Sequence, residues 1–481
     1  MGRIEVECRP HPPCSKTAIR GGARSLTAIS GIAAAALYGA GADCAIVGSQ
    51  AATPATEAMH EPTPTQIETL FRRESSRLIS VLTRILGPEN LELAEDVMQD
   101  AFVAAMRDWG RHGAPENPSA WLLTAARNRA IDAIRRERTR RTFAADLAVY
   151  LDSEWTLAPT VDEAFDEHWI KDDQLRMIFM CCDPKLPVES QVTLILRTLC
   201  GLSVPAIARA LLSTESTINK RLYRTRQALR QVRFELPPES ERPAALDTVH
   251  TTLYLLFNEG YLSSGDKPIL RELCRDAMLL AQLLVDESMA NSQTVALLAL
   301  MCFAAARLES RIDDDGRLVP LDCQDRSRWD RSLIRQGYAY LARSSTMEAV
   351  SATPFHLEAA IAARHCEAAS FDRTDWASIC SLYDRLLDIN PSPMVELNRA
   401  VAISFRDSPQ VAIPIVEDIR SAGRLPYTHV AAAVLANLYT RAGSPEPARR
   451  FLDEALARAR TPHERELIAL QVGRHAPNPS A

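Results

Sequence analysis

The chain has 481 residues, a net charge of −6, 47% hydrophobic and 24% charged residues; it is long enough for several cores and too apolar for a disordered or fibrous protein. Its 11 cysteines are scattered without a C-x-x-C pair, and Cys181 adjoins Cys182, which suits neither a disulfide framework nor a zinc knuckle. Aromatics are few, Ala, Leu and Arg abound, and no succession of alternating β-type segments occurs, so an all-α fold without metal or cofactor is expected.

Residues 1–60 contain the apolar run "LTAISGIAAAALYGAGADCAIVGSQAA" behind Arg20 and Arg24. It is rich in small residues, is broken by Gly and Asp43, and lies far from Met1. A disordered extension is expected rather than a signal peptide or membrane span, with a start at Met59 as one explanation. From Thr65, apolar residues at Ile67, Leu70, Phe71, Leu78, Val81, Leu82, Ile85 and Leu86 follow helical spacing until Gly87-Pro88. A second helix, "NLELAEDVMQDAFVAAMRDW", places Asp96, Gln99 and Asp100 on one face, with Val97, Ala101 and Ala104 turned inward.

Gly110 to Pro118 reads as a loop, after which Ser119 opens a long helix. Within it, residues 125–141 carry Arg127, Arg129, Arg135, Arg136, Arg138, Arg140 and Arg141 against only Asp132 and Glu137. An acidic chain that concentrates its positive charge in one stretch either solvates a helix face there or binds a polyanion. Residues 142–170 read as a linker, and a compact helical unit follows from Leu175 to Phe234.

In "GLSVPAIARALLSTESTINKRLYRTRQALR", Ser203 can cap one helix and Thr214 the next. Ile218, Leu222, Thr225 and Leu229 would pack inward, leaving Ser216, Asn219, Lys220, Tyr223, Arg224 and Gln227 outward. That is a helix-turn-helix with a basic recognition face. Lys220 and Arg224, one turn apart, can reach phosphates or base edges of one groove, and Asn219 suits adenine.

At these residues the chain resembles the extracytoplasmic-function sigma factors of the sigma-seventy family. The helix-turn-helix is similar to their region four. "AEDVMQDAF" resembles the helix that binds the clamp of core RNA polymerase, and "NPSAWLLTAARNRAIDAIRRERTRR" the segment that opens and reads the −10 element. The resemblance implies that Asp96, Gln99 and Asp100 bind polymerase. It also implies that Asn128 receives a flipped base while Arg127, Arg129, Arg135, Arg136 and Arg138 hold backbone, and that the recognition face reads the −35 duplex. Asn219 stands where related factors often carry Lys or Arg, and "CCDP" is a less usual opening to region four.

Beyond the boundary "ELPPESERP" the chain is again helical. "LYLLFNEGYLSSG" and "DGRLVPLDCQDRSRWDRSLI" resemble the subgroup with a long helical extension ending in tetratricopeptide-like repeats. Two units align Ala412 over Ala448, with Tyr439, Gly443, Ala455 and Leu456 at packing positions and an offset of about 36 residues, close to that repeat's period. Asn258, Glu259, Asp322, Gln324, Asp325, Arg326 and Arg328 are expected to form a buried polar network, or else a docking surface. Glu259, Asp322, Asp325 and His356 supply imaginable acid–base groups, but no phosphate loop, nucleophile elbow or metal-ligand spacing accompanies them, so no enzyme is expected.

The domains expected are an N-terminal extension (1–60), region two (61–145), a linker (146–172), region four (173–237), a helical extension (238–345) and repeats (346–475). The reading is a cytoplasmic alternative sigma factor whose partners are core RNA polymerase and promoter DNA, with no membrane and no small-molecule substrate. Its extension would regulate it in cis and make a separate anti-sigma factor unnecessary. A helix-turn-helix regulator that is not a sigma factor, or a repeat scaffold, are the alternatives.

Overall fold

The structure, a computed structural model, describes residues 64–137, 167–183, 186–211, 213–230, 232, 234–263, 268–347, 352–425, 428–459 and 461–473. The expected N-terminal extension, Met59 and most of the linker lie outside these. Among the described residues there is no strand, only an isolated antiparallel bridge between Ile312 and Leu318.

Helix α1 (Pro64–Leu86) buries Leu78, Ile79, Leu82, Ile85 and Leu86. It stops at Gly87, whose φ of 88° suits a residue without Cβ, and Pro88 opens a 3-10 turn. Helices α2 (Leu91–His112) and α3 (Pro118–Glu137) pack on each other and on α1. The expected loop from Gly110 starts later, because α2 continues through Gly110 to His112. A helical glycine costs about 1 kcal/mol, and the buried Trp109 anchors this turn. Gly113, at φ 80°, closes it by donating its N–H to the Trp109 carbonyl at 2.9 Å. Likewise α3 opens at Pro118 rather than Ser119. The Asn117 side chain accepts the Ala120 N–H at 3.0 Å, which leaves the Ser119 hydroxyl to donate to Glu74 at 2.9 Å.

Helix α4 (Glu167–Cys181) starts inside the expected linker. It is held there by a contact 89 residues distant in sequence: the buried Asp173 carboxylate accepts from Arg84 Nε of α1 at 2.8 Å. Helices α5 (Val188–Thr198), α6 (Val204–Ala210) and α7 (Glu215–Leu229) complete this unit. Gln191 Nε2 donates to the carbonyls of Asp183 and Leu186, both at 2.8 Å, and so braces the turn before α5.

The extension begins with α8 (Arg242–Tyr261), α9 (Arg271–Asp286) and α10 (Ser292–Ala305). Gly260 is required where α8 and α9 meet: a Cβ there would lie 2.7 Å from the Cys274 backbone nitrogen. Asn291 and Thr294 cap α10 reciprocally, and the helix is apolar all round. The segment Ser292–Ser310 is long and apolar enough to cross a membrane, but 89% of it is buried inside the protein, where α9, α11 (Arg331–Thr346) and α12 (Pro354–Glu367) cover it.

From α12 on, each helix packs on the next: α13 (Trp376–Ile389), α14 (Pro393–Arg406), α15 (Pro409–Ser421), α16 (Thr428–Arg441), α17 (Pro445–Arg458) and α18 (Pro462–Gly473). The two aligned units are the hairpins α14–α15 and α16–α17, in which Ala412 and Ala448 are both buried. One contiguous apolar cluster runs from Leu78 in α1 to Cys366 in α12, and a second from Leu357 to Val472.

Candidate nucleic-acid interface

The helix-turn-helix is set by its caps. The Ser203 hydroxyl accepts the Ala206 N–H at 3.3 Å, and the Thr214 hydroxyl accepts the Thr217 N–H at 3.2 Å. Each satisfies a donor that the first helical turn leaves open. Ile218, Leu222, Thr225 and Leu229 of α7 are buried. Ser216, Asn219, Lys220, Tyr223, Arg224 and Gln227 are all exposed, Tyr223 at 62%. The other two arginines of the helix point elsewhere. Arg221 donates to Thr193 at 3.2 Å. Arg226 crosses to α2, donating to Glu95 at 2.7 Å with Glu92 4.0 Å away. The outward face therefore keeps Lys220 and Arg224 one turn apart, a spacing that fits one groove of duplex DNA.

Between α2 and α3 lies an open cleft of about 720 Å³, lined by Ala104, Asp108, Trp121, Thr124, Asn128 and Arg129 among others. Trp121, which lines it, packs edge to face on the buried Trp109 with centroids 5.6 Å apart. Asn128 is exposed in it, and its side-chain oxygen accepts from Arg127 Nη2 at 3.2 Å, which leaves the amide N–H groups for a base edge. Arg127 and Arg129 are half-buried rather than free tracks for phosphate, and Arg129 Nη1 donates to the Ala125 carbonyl at 3.4 Å. Arg135 and Arg136 are exposed. Asp132 sits 3.8 Å from Arg135 and its carbonyl accepts from Arg136 at 3.2 Å. Arg138 lies outside the described residues.

Asp108, which faces this cleft from α2 3.0 Å from His112, was not among the residues singled out in the sequence. A carboxylate repels phosphate but accepts from an exocyclic base amino group. Its position in "MRDWGRH" gave no sign that α2 would present it to α3. Nearer the start of α2, Asp96, Gln99 and Asp100 are exposed, while Val97 and Ala101 are buried. Val103 and Met106, 37% and 49% exposed, extend this stripe. The face is thus acidic at one end and apolar at the other, a mixture suited to a protein partner.

Residues 70–140 match Sigma-70 region 2, and residues 176–229 match Sigma-70, region 4. The chain belongs to the sigma-70 family. Regions two and four occur here in the order found in sigma factors, a family of transcription initiation factors, which supports an alternative sigma factor. Residues 245–345 match a family of unknown function, DUF6596. The chain is 36% identical over 398 residues to the uncharacterized protein R00370 of Rhizobium meliloti, covering 81% of this chain and 92% of that protein. It is 25% identical over 175 residues to the probable ECF RNA polymerase sigma factor SigI of Mycobacterium tuberculosis, covering 36% of this chain and 57% of that protein. With the ECF RNA polymerase sigma factor SigX of Bacillus subtilis it shares 24% over 139 residues, 28% of this chain and 69% of that one. No solved structure matches.

In this sigma factor the two regions touch directly. Besides Arg84–Asp173 and Arg226–Glu95, Gln174 Nε2 donates to the Ser76 hydroxyl at 3.1 Å. The extension in turn packs α8 on α4 and α5. Cys181, Cys182 and Cys200 are buried in region four, and burial pushes the Cys181 thiol up to about 12, so it stays a protonated core residue.

The expected polar network of the extension divides into separate groups. Asn258 and Glu259 are buried on α8, and Ser263 donates to Glu259 at 3.5 Å. Asp325 is a correction: it is exposed, and its carboxylate caps the Arg326–Arg328 turn by accepting the Ser327 N–H at 2.9 Å. Arg328 is exposed as well. Asp322 is half-buried and favours the charged form of Arg441 in α16. Arg326 instead donates Nη1 to the carbonyls of His365 and Ala368, at 2.6 and 2.7 Å. These lie at the end of α12, where a helix leaves carbonyls without partners.

Proposed function

We propose that this chain binds core RNA polymerase, reads −35 duplex with the outward face of α7, and opens the −10 element with α3, working in the cytoplasm where polymerase is found. The observation that carries the reading is the joint exposure, on one body, of the α7 polar face, the Asn128 cleft and the acidic–apolar stripe of α2. Ser216, Asn219, Lys220, Tyr223, Arg224 and Gln227 are the −35 contacts. Asn128 and Asp108 choose the base drawn into the cleft, as expected where an unstacked base offers its edge. Arg127, Arg129, Arg135, Arg136 and Arg138 supply positive field along the strand. Asp96, Gln99 and Asp100, continued by Val103 and Met106, meet the polymerase clamp.

The extension, whose α14–α15 and α16–α17 hairpins we read as tetratricopeptide-like, regulates this activity in cis. Its support is the continuous apolar cluster through α1, α4, α5, α8 and α12: by packing on region four, the extension favours the closed contact between regions four and two. In that arrangement a separate anti-sigma factor is unnecessary. A regulator that is not a sigma factor would have no use for the Asn128 cleft.

Run-off transcription with purified core polymerase and genomic DNA tests the reading. The full chain, or its Arg226→Ala variant with the inter-region contact weakened, is expected to confer specific initiation. If neither does so, the sigma reading fails. Deleting the chain beyond residue 240 is a poor substitute, since it would strip α8 from α5 and expose their shared core.

A further inference from the structure

Two arginines are buried where α10 gives way to the segment before α11, Arg307 at 5% exposure and Arg311 at 4%, and a third, Arg326, is half-buried. None forms a salt bridge with a carboxylate among the described residues. Arg311 is accounted for: it stacks 3.5 Å above the Tyr261 ring and donates to the Tyr261 carbonyl. Arg307 is not, and Arg326 is so only in part, since its Nη1 alone meets the two carbonyls at the end of α12. Arg307 Nε donates to Gln324 at 3.2 Å, but its Nη2 is buried without a partner, as is Nη2 of Arg326.

Both guanidinium groups flank one indole, 5.4 and 4.7 Å from the ring of Trp329, whose Nε1 is also buried and unpartnered. His365 is 1% exposed with neither ring nitrogen bonded. It is held neutral by burial and by these same two arginines, so it offers one further N–H. Buried donors of this kind each cost free energy, and unpaired buried cations cost several kcal/mol apiece. A water molecule could bond to two of them but would cancel neither charge.

We propose that Arg307, Arg326, Trp329 and His365 form a binding site for a small oxyanion, with a phosphate group as its best occupant. Two guanidinium Nη2 groups, an indole N–H and an imidazole N–H outnumber the oxygens of a carboxylate, whereas a phosphate presents more acceptor oxygens around one centre. The site lies in the part of the chain that matches DUF6596. Through Arg326 it reaches the last carbonyls of α12, the helix at which the first apolar cluster ends and the second begins. An anion there ties the two halves of the extension together. No sequence motif for phosphate announced it, because the donors come from three separate segments.

Thermal unfolding and tryptophan fluorescence of the full chain test this, using inorganic phosphate against acetate and chloride at matched ionic strength. Phosphate is expected to raise Tm in a saturable way, acetate less and chloride not at all. The shift should persist in Lys220→Ala/Arg224→Ala, which removes the cations of the α7 face, and vanish in Arg307→Met, with phosphate affinity at least tenfold weaker. Without phosphate, Arg307→Met should melt no lower than wild type, since it removes an unpaired buried cation; a purely structural arginine would give the reverse. Should Arg307→Met fail to fold, Trp329→Phe decides: the phosphate-dependent fluorescence change must disappear with Trp329. Equal Tm in phosphate and chloride, a shift undiminished in Arg307→Met, or a fluorescence response retained in Trp329→Phe overturns the proposal. A stronger response to acetate than to phosphate overturns the choice of occupant.

Discussion

Arg226→Met is expected to loosen region four from region two. Arg226 and Glu95 are 21% and 13% exposed in their side chains and meet at 2.7 Å, so water screens the pair only in part. Glu92, 4.0 Å away and 64% exposed, adds little, as exposed ion pairs generally do. The Arg226–Glu95 coupling should therefore exceed the usual surface value and fall at about 1–2 kcal/mol, below the cost of breaking a fully buried pair. Since about 1.4 kcal/mol is a factor of ten, the population with the regions apart should rise about five- to thirtyfold. A double-mutant cycle of Arg226→Met and Glu95→Gln, measured by urea unfolding, isolates the pair. Hydrogen exchange reports whether amides of α2 and α7 lose protection in the single variants before global unfolding. A coupling within about 0.3 kcal/mol of zero, or unchanged protection in both helices, would refute the latch.

Further outcomes follow from the site and the core. Asn128→Ala should leave polymerase binding intact and reduce promoter opening, seen as weaker permanganate reactivity at the −10 element; equal loss at every promoter sequence would argue against a role in base choice. Lys220→Ala with Arg224→Ala should weaken binding to −35 duplex and flatten its salt dependence by about two phosphate contacts; an unchanged slope places DNA elsewhere. Gly260→Ala should cost about 1–3 kcal/mol as an overpacked contact against backbone, read as a lower Tm with unchanged far-UV signal. Burial holds His250 and His365 near 3 against an ordinary 6.5. Their neutral forms are favoured by folding, so the stability they contribute is lost as pH falls below about 6.5. Burial lifts Glu358, which accepts from Tyr254 at 3.1 Å, to about 7 from 4.5. The folded state then binds its proton more tightly, so stability declines as pH rises from 4.5 to about 7, by at most about 1.4 kcal/mol per pH unit. Glu358→Gln removes that slope, and its gain over wild type should be larger at pH 8 than at pH 5; an equal difference at both would contradict the assignment.

Short-range chemistry made much of this protein legible in its sequence. The caps at Ser203 and Thr214, the stop at Gly87-Pro88, the inward face of α7 and the exposed Asp96–Asp100 stripe all follow from spacings of three and four residues. Helical period and capping act within a turn or two, so the order of residues suffices to specify them. Where local signals competed, tertiary contact decided. The buried Trp109 carried α2 past Gly110, and Asp325, expected in a buried network, was taken by its own turn. The remaining features rest on contacts between distant segments. Arg84 meets Asp173 across 89 residues and Arg226 meets Glu95 across 131, and nothing in the neighbourhood of an arginine announces which far carboxylate will face it. The same holds for Arg307, which reads as a surface charge until packing seals it beside Trp329 and Arg326. The sequence by itself determined the helices, their faces and the basic and acidic surfaces. Only the tertiary structure decided which surfaces stay open, which charges pair, and that regions two and four share one core with the extension, because burial and charge pairing depend on which segments meet.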